Sequence, residues 1–171
     1  MGRRGLIIVH TGDGKGKTTA ALGLVLRAFG SGLKVLILQF IKGQRLSGEL
    51  VALDALGIEI RQLGLGFITK DNFDEQRQSA RKALELAKEE ILSGTWDLIV
   101  LDEINYAVKF GLLDAQDLLS LIRIRPEPLH LVFTGRDALP ELIDAADLVT
   151  EMKLIKHPFK QGIKAQVGIE F

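Results

Sequence analysis

The chain has 171 residues, 47% hydrophobic and 26% charged, which is the composition of an ordinary globular protein. Its 22 Lys and Arg residues balance 22 Asp and Glu residues, and this neutral balance argues against nucleic acid as a partner. The absence of cysteine excludes disulfides, thiolate metal sites and cysteine nucleophiles. No stretch approaches the roughly 18 apolar residues of a membrane span, and the start does not resemble a signal peptide. We therefore expect a cytoplasmic protein with no membrane partner.

Apolar runs alternate with helical patterns along the chain. Short continuous apolar runs, typical of strands covered on both faces, predict strands over Leu6–Val9, Lys34–Phe40, Ile58–Leu63, Leu98–Leu101 and Leu129–Phe133. Helices are predicted over Thr18–Phe29, Ser47–Leu56, Asp74–Ser93, and from an Asp114 cap through Ile122. A last helix is predicted with Pro140 in its first turn. The second of these helices carries Leu46, Leu50 and Leu53 on one side. Two late strands are predicted, Leu148–Met152 and an antiparallel Ala165–Ile169.

Strands separated by helices imply parallel pairing through right-handed crossovers, with helices on both faces of the sheet. No linker, repeat or low-complexity segment interrupts this alternation. The sequence therefore predicts one α/β domain over residues 1–171 with a mostly parallel sheet. The order of the strands does not follow from the pattern.

A glycine-rich segment separates the first predicted strand from the first buried helix. It consists of Gly12, Asp13, Gly14, Lys15, Gly16, Lys17, Thr18 and Thr19. Glycines let backbone N–H groups turn inward around an anion, and the positive end of the following helix points at the same place. Lys17 adds a full charge, and the Thr18 hydroxyl suits the Mg²⁺ that accompanies a triphosphate. This segment, here called the phosphate loop, predicts binding of ATP with Mg²⁺.

The phosphate loop departs from the general motif at its beginning. The motif has glycine where this chain has Thr11, Gly12 comes one position later, and Lys15 is additional. The alternative is a glycine-rich turn that binds nothing. We favour the phosphate site because a bare turn has no need of Gly-Lys-Thr at the start of a helix.

Asp102 and Glu103 follow an apolar strand, where acidic residues face the crevice at the carboxyl edge of a sheet. In phosphate-loop proteins an acid here holds Mg²⁺, and a neighbouring glutamate can activate a water. The alternative is a solvated strand end or a helix cap. Arg136 follows another strand at the same edge, either as a phosphate clamp or as a surface arginine.

Two histidines and two aromatic residues are further candidates for a functional role. His10 and His130 lie in or beside apolar strands, and we predict hydrogen-bonded core histidines rather than ligands. Trp96 is predicted to pack. Phe67 lies in a loop, either as a core plug or as a face offered to a flat ligand, and the sequence favours the plug.

Several segments together resemble the phosphate-loop family of ATP:corrinoid adenosyltransferases over nearly the whole chain. They are Thr11–Ala21, Gln39–Gly43, Leu101–Glu103, Thr134–Arg136, Ala146–Met152, Ile155–Phe159 and Gly162–Phe171. The phosphate loop is shared by many families, whereas the Lys-His-Pro-Phe and Gly-Ile-Lys-Ala-Gln parts of the tail are specific. The resemblance implies a RecA-like phosphate-loop fold.

The resemblance also implies a reaction in which Co(I) of a reduced corrinoid attacks the 5′ carbon of ATP and the whole triphosphate leaves. The loop, Lys17 and Mg²⁺ then stabilise the leaving group, and Thr18 and Glu103 hold the metal with Asp102 nearby. Arg136 is a further candidate catalytic residue. Phe67 matches an aromatic position that presses on the lower face of the corrinoid. The family often has tryptophan two residues later, where this chain has Thr69.

The same resemblance implies a homodimer and a flavoprotein that supplies electrons. Two other functions fit the residues alone. One is a generic ATPase or small-molecule kinase with Glu103 orienting a water or acceptor, and the other is a nucleotide-binding partner without catalysis. The released product separates them, because adenosyl transfer liberates triphosphate while hydrolysis or phosphorylation liberates ADP.

Overall fold

The computed structural model describes residues 4–43 and 47–170. Within them, six strands form one sheet in the order β3-β2-β4-β5-β1-β6, and every neighbouring pair is parallel. The strands are β1 (Ile7–Thr11), β2 (Val35–Gln39), β3 (Glu59–Gln62), β4 (Leu98–Asp102), β5 (His130–Thr134) and β6 (Leu148–Glu151). The predicted parallel α/β fold is confirmed.

Helices connect the strands. They are α1 (Lys17–Gly30), α2 (Gly48–Ala55), α3 (Phe73–Leu92), α4 (Ile104–Lys109), α5 (Ala115–Ile124) and α6 (Pro140–Ala145). The Asp114 cap is confirmed, since its carboxylate accepts a 3.1 Å hydrogen bond from the Asp117 N–H. Leu46 and the last tail residue, Phe171, lie outside the described residues. In the described part of the chain, no helix has the length and apolar character to cross a membrane.

The sheet is buried on both faces, as predicted. Successive side chains of β1 point in opposite directions, so Ile7 and Val9 join one core cluster and Ile8 joins the other. The first cluster includes Leu84 of α3, and the second includes Val25 of α1. Two helical layers therefore enclose the sheet and leave its carboxyl edge as the place where loops meet.

The predicted strand Ala165–Ile169 is wrong. After β6 the chain continues as an irregular segment with one short 3₁₀ turn at Pro158–Gln161. Gly168 adopts a left-handed φ of 77°, which interrupts extended geometry. Val167 and Ile169 are about four-fifths exposed, so their alternation with polar residues does not bury a sheet face.

Topology sets which strand ends meet. Strand β5 lies between β4 and β1, and all three run in the same direction. The residues at their ends are therefore neighbours across the edge: Asp102 of β4, Thr134 of β5 and Thr11 of β1. This arrangement brings the phosphate loop close to the acidic pair although about 85 residues separate them in the sequence.

Candidate functional site

Glycine is required where the phosphate loop turns. Gly12 and Gly16 have left-handed φ angles of 94° and 111°, which L side chains rarely adopt. A Cβ on Gly12 would come within 2.5 Å of the Met152 carbonyl oxygen. The Gly14 N–H donates a 2.6 Å hydrogen bond to that same oxygen. The chain just after β6 therefore supports the outer side of the loop.

The loop concentrates positive charge at the start of α1. The Lys17 Nζ donates hydrogen bonds to the carbonyl oxygens of Gly12 (2.7 Å) and Gly14 (2.6 Å). Burial, followed by the charge of Arg136, lowers the pKa of Lys17. The described helix α1 has no acidic residue in its first turn and no side-chain cap, so its first N–H groups remain suited to an anion.

Asp102 is fully buried and is the centre of a polar network. Its Oδ1 accepts hydrogen bonds from the hydroxyls of Thr18 and Thr134, each at 2.8 Å. Its Oδ2 accepts a 3.0 Å bond from the Gln39 amide and lies 3.8 Å from the Lys42 Nζ. The network joins the ends of β2, β4 and β5 to the first turn of α1.

The donor set at Asp102 fits Mg²⁺. Magnesium holds oxygens at about 2.1 Å in an octahedron, which separates adjacent ligands by about 3 Å, and Thr18 Oγ1 and Asp102 Oδ1 are 2.8 Å apart. In the described residues, the buried Gln39 Oε1 has no hydrogen-bond partner and could accept one from a metal-bound water. Those residues contain no group of three or more His, Cys, Asp or Glu able to hold a metal, so phosphate oxygens and water would complete the shell.

Glu103 lies at the junction between β4 and α4. Its backbone has a left-handed φ of 62°, and its N–H donates a 2.9 Å hydrogen bond to the Thr134 hydroxyl. Burial, reinforced by the neighbouring Asp102, raises the pKa of Glu103 to about 7. A positive φ outside glycine is uncommon and costs energy. The structure therefore holds this carboxyl group in a costly position beside the network.

Arg136 comes close to the phosphate loop. Its Nε is 3.9 Å from the Asp13 Oδ1, and its side chain is about half-exposed. The Ala138 N–H donates a 3.1 Å hydrogen bond to the Thr11 hydroxyl, which fixes the loop after β5 against the end of β1. The guanidinium therefore lies beside the loop, where its charge acts on Lys17.

A cavity of about 660 Å³ adjoins the acidic pair. It is bounded by the loops after β2 and β3, the start of α4 and one residue near the C-terminal end. Its lining residues are Ile41, Lys42, Gly43, Ser47, Glu49, Gln62, Leu65, Gly66, Phe67, Ile68, Glu103, Tyr106, Phe110 and Glu170. The volume is typical of small-molecule sites, which span roughly 300–1,000 Å³.

The predicted core plug at Phe67 is wrong, because this side chain lines the cavity and is 90% exposed. Hydrogen bonds hold its backbone instead. The side-chain amides of Asn72 and Gln76 donate to the Phe67 carbonyl at 2.9 and 3.1 Å. The Thr69 N–H donates to the Asn72 Oδ1 at 2.8 Å. These hydrogen bonds fix the backbone of the loop after β3, while the Phe67 side chain remains exposed at the cavity.

Sequence reasoning assigned no role to several residues near the acidic pair. The Lys42 Nζ donates a 2.9 Å hydrogen bond to Glu49, and both side chains line the cavity. Tyr106 and Phe110 stack with ring centroids 5.8 Å apart and contribute an aromatic wall. Lys42 belongs to a segment that the family resemblance had marked. Nothing in the local pattern identified Glu49.

The remaining predicted side chains are structural. His130 Nδ1 accepts a 3.1 Å hydrogen bond from the Leu6 N–H, and the Trp96 indole donates at 2.6 Å to Glu90 while packing on the core. His10 is buried, which lowers its pKa. Its Nδ1 has no partner among the described residues, so the predicted hydrogen bond at that atom is absent.

Comparison with known proteins identifies related sequences over nearly the full length. A family model described as ATP:corrinoid adenosyltransferase BtuR/CobO/CobP matches residues 3–171. A corrinoid adenosyltransferase of Pseudomonas aeruginosa is 45% identical over 98% of this chain and 84% of its own length. A corrinoid adenosyltransferase of Escherichia coli K12 is 37% identical over 98% of this chain and 86% of its own.

Solved structures share the fold at low identity. The RadB recombinase superposes with a TM-score of 0.50 and 20% identity, covering 90% of this chain and 77% of that chain. The KaiC-like protein PH0186 from Pyrococcus horikoshii superposes with a TM-score of 0.57 and 16% identity, covering 90% and 75%. Both support the RecA-like fold.

Proposed function

Since the chain belongs to the family of ATP:corrinoid adenosyltransferases, we propose that its phosphate loop holds the triphosphate of ATP as the leaving group. The enzyme transfers the 5′-deoxyadenosyl group of ATP to Co(I) of a reduced corrinoid and releases triphosphate. The cobalt gives an electron pair to the new cobalt–carbon bond, and the bond between C5′ and oxygen breaks towards the phosphate. No general base is needed, because Co(I) is itself the nucleophile.

One observation carries this assignment: the phosphate loop and the cavity adjoin at Asp102 and Glu103. The Thr18 hydroxyl of the loop contacts Asp102, and the next residue, Glu103, lines the cavity. On its other side, the loop packs against Met152, whose carbonyl accepts from Gly14. A nucleotide held here by its phosphates has room for its nucleoside on the cavity side, where a corrinoid would meet C5′.

The charged residues divide between the leaving group and the metal. The triphosphate is bound by Lys17, by Arg136 and by the N–H groups of the phosphate loop, residues Gly12 to Thr19. These groups stabilise the charge that develops as the triphosphate departs. The resemblance assigned Mg²⁺ to Thr18 and Glu103 with Asp102 nearby. The 2.8 Å contact between Thr18 and Asp102 instead favours these two residues as the ligands, with Glu103 beside them. When bound, this ion supplies further positive charge to the leaving group. These residues form a preorganised electrostatic site.

The apolar part of the cavity serves the corrinoid. Phe67 presents a nearly free aromatic face from a loop whose backbone is tied down. We assign it the contact with the lower face of the macrocycle, where an apolar side chain displaces the lower cobalt ligand and makes the metal easier to reduce. The external reductant that we propose is a flavoprotein, as the family resemblance implies.

We further propose that residues 1–171 form a single adenosyltransferase domain, that two copies associate, and that the enzyme works in the cytoplasm. Support for the homodimer comes from an exposed edge: Leu148 of β6 is 44% exposed, and Ile155 and Phe159 beyond it are 84% and 79% exposed. Apolar area of this kind commonly marks a protein interface. Sedimentation velocity would contradict the homodimer if the protein remained a monomer at every concentration tested.

The test of the phosphate loop is the substitution Lys17→Ala. We expect turnover with ATP, Mg²⁺ and chemically reduced cobalamin to fall by at least about 100-fold, because one preorganised charge is lost from the leaving group. Lys34→Ala is the matched control, since Lys34 is exposed before β2 at the opposite edge of the sheet. The visible spectrum reports cobalt–carbon bond formation. Near-normal rates in Lys17→Ala would contradict the assignment.

A further inference from the structure

The chain after β6 runs beside the phosphate loop before it reaches the cavity. We call residues 152–170 the C-terminal segment. At its start, the Met152 carbonyl accepts a hydrogen bond from Gly14, and a Cβ on Gly14 would come within 2.9 Å of Lys153. At its end, Glu170 lines the cavity. The segment therefore spans from the outer face of the phosphate loop to the substrate cavity.

An ion pair joins the end of the C-terminal segment to the phosphate loop. The Glu170 carboxylate forms an ion pair with the Lys15 Nζ at 2.5 Å. The Glu170 side chain is only 19% exposed, although the residues before it are exposed. Lys15 is the additional lysine of the loop, and its side chain is 52% exposed. Lys17, in contrast, is turned inward onto the loop carbonyls. The two lysines thus have different partners.

We propose that Glu170 is a positioning residue of the nucleotide site, whose ion pair with Lys15 latches the C-terminal segment across the phosphate loop. This inference rests on the proposed function, because it takes the loop as the triphosphate site. The latch closes the outer side of the nucleotide, slows its dissociation and completes the cavity wall. The tail motif Gly162–Gln166, which the reaction itself does not use, belongs to the part of the segment that reaches the latch.

The size of the effect follows from the exposure of the pair. Partly exposed ion pairs are worth at most about 1 kcal/mol, which corresponds to about a fivefold change in affinity. We therefore expect Glu170→Gln to raise the KM for ATP about fivefold and to leave kcat nearly unchanged. The rise should shrink at high salt, since salt screens exposed charges.

The test is a double-mutant cycle on the KM and dissociation constant for ATP. Lys15→Gln also removes a charge from the phosphate loop, so only the comparison with the double variant isolates the pair. We expect Glu170→Gln to weaken ATP binding in the wild-type background and to have no effect in the Lys15→Gln background. Lys164→Gln, an exposed neutralisation in the same segment, is the matched control.

A second readout follows the segment itself. Trypsin should cut at Lys160 or Lys164 faster in Glu170→Gln than in the wild type, and the charge-reversed pair Lys15→Glu with Glu170→Lys should restore protection. Equal effects of Glu170→Gln in both backgrounds, with unchanged proteolysis, would overturn the latch alone. A wild-type protein that binds no ATP would overturn the latch together with the proposed function.

Discussion

At the scale of single residues, Asp102 organises the site because it is a fully buried carboxylate with three side-chain donors. Thr18, Thr134 and Gln39 each donate to it, and each comes from a different element. A buried charge is tolerated only when it is hydrogen-bonded or paired. The Thr18 hydroxyl and the Asp102 carboxylate, which hydrogen-bond to each other, are also the oxygens that the proposed Mg²⁺ needs. Metal binding would therefore replace hydrogen bonds rather than require a new arrangement.

Glu103 gives a prediction on pH and stability. Burial raises its pKa to about 7, from 4.5 for a free side chain, so the folded protein retains a proton that the unfolded chain releases. The free energy of unfolding therefore falls as pH rises through this window, by on the order of 2–3 kcal/mol. The side chain in Glu103→Gln cannot titrate, so the free energy of unfolding of this variant should lack this pH dependence. Denaturant titrations without nucleotide or metal at several pH values between 5 and 8 measure it.

Comparing the wild type with Glu103→Gln shows whether the pKa of Glu103 is raised in the folded protein. The stability advantage of Glu103→Gln over the wild type should be small at pH 5 and grow up to about pH 8, because only the wild type acquires a buried charge. An advantage that is constant across this range would mean that Glu103 ionises in the folded protein as it does in the unfolded chain.

The sequence predicted the site residues that belong to a motif or to the end of a strand. It did not predict the site residues that are brought together only by tertiary contacts. Thr18 and Asp102 follow from the positions of a helix start and a strand end, and the structure brings them together. Lys42 pairs with Glu49, and the contact of Lys42 with Asp102 depends on strand order. From the residues alone Phe67 was assigned to the core, because an apolar side chain in a loop is usually buried and the sequence does not show what an exposed one would contact.

At the scale of elements, regular strands were predictable and short or irregular segments were not. Strands β2 and β4 are continuous apolar runs, and their bounds agree with prediction to within one residue. Helix α4 has only six residues directly after Asp102 and Glu103, too few to show a helical period. The tail alternates apolar and polar residues as a strand would, yet Gly168 turns the backbone there.

The loop after β3 gives a prediction for Phe67→Ala. The variant should slow reduction of corrinoid cobalt far more than it weakens ATP binding, because Phe67 lines the cavity, whose described lining includes no residue of the phosphate loop. Its stability should change by less than about 0.5 kcal/mol, as expected for an exposed side chain. Rates of Co(II) reduction and ATP dissociation constants measure the two effects.

Phe29→Ala is the control for Phe67→Ala. Phe29 lies near the C-terminal end of α1, and is 38% exposed. We expect cobalt reduction in this variant to match the wild type. Equal losses of ATP binding and cobalt reduction in Phe67→Ala would indicate that the phenylalanine supports the fold and does not act on the corrinoid.

At the scale of the whole molecule, the parallel sheet explains how two unlike substrates meet. Both sites lie at the carboxyl edge: the phosphate loop follows β1, and the cavity is bounded by loops after β2, β3 and β4. The order of the strands, which the sequence did not reveal, puts β5 between β1 and β4. In the proposed complex, this spacing would hold the phosphates at one end of the nucleotide and leave the other end free for the corrinoid.

Whether the phosphate loop binds triphosphate as a leaving group is tested most directly by identifying the released product. The protein should be incubated with ATP, Mg²⁺ and chemically reduced cobalamin, and the phosphorus-containing products should be separated by anion exchange. We predict that intact triphosphate appears in equal amount to the cobalt–carbon product seen in the visible spectrum. Formation of ADP in its place, with no adenosylated corrinoid, would contradict the account.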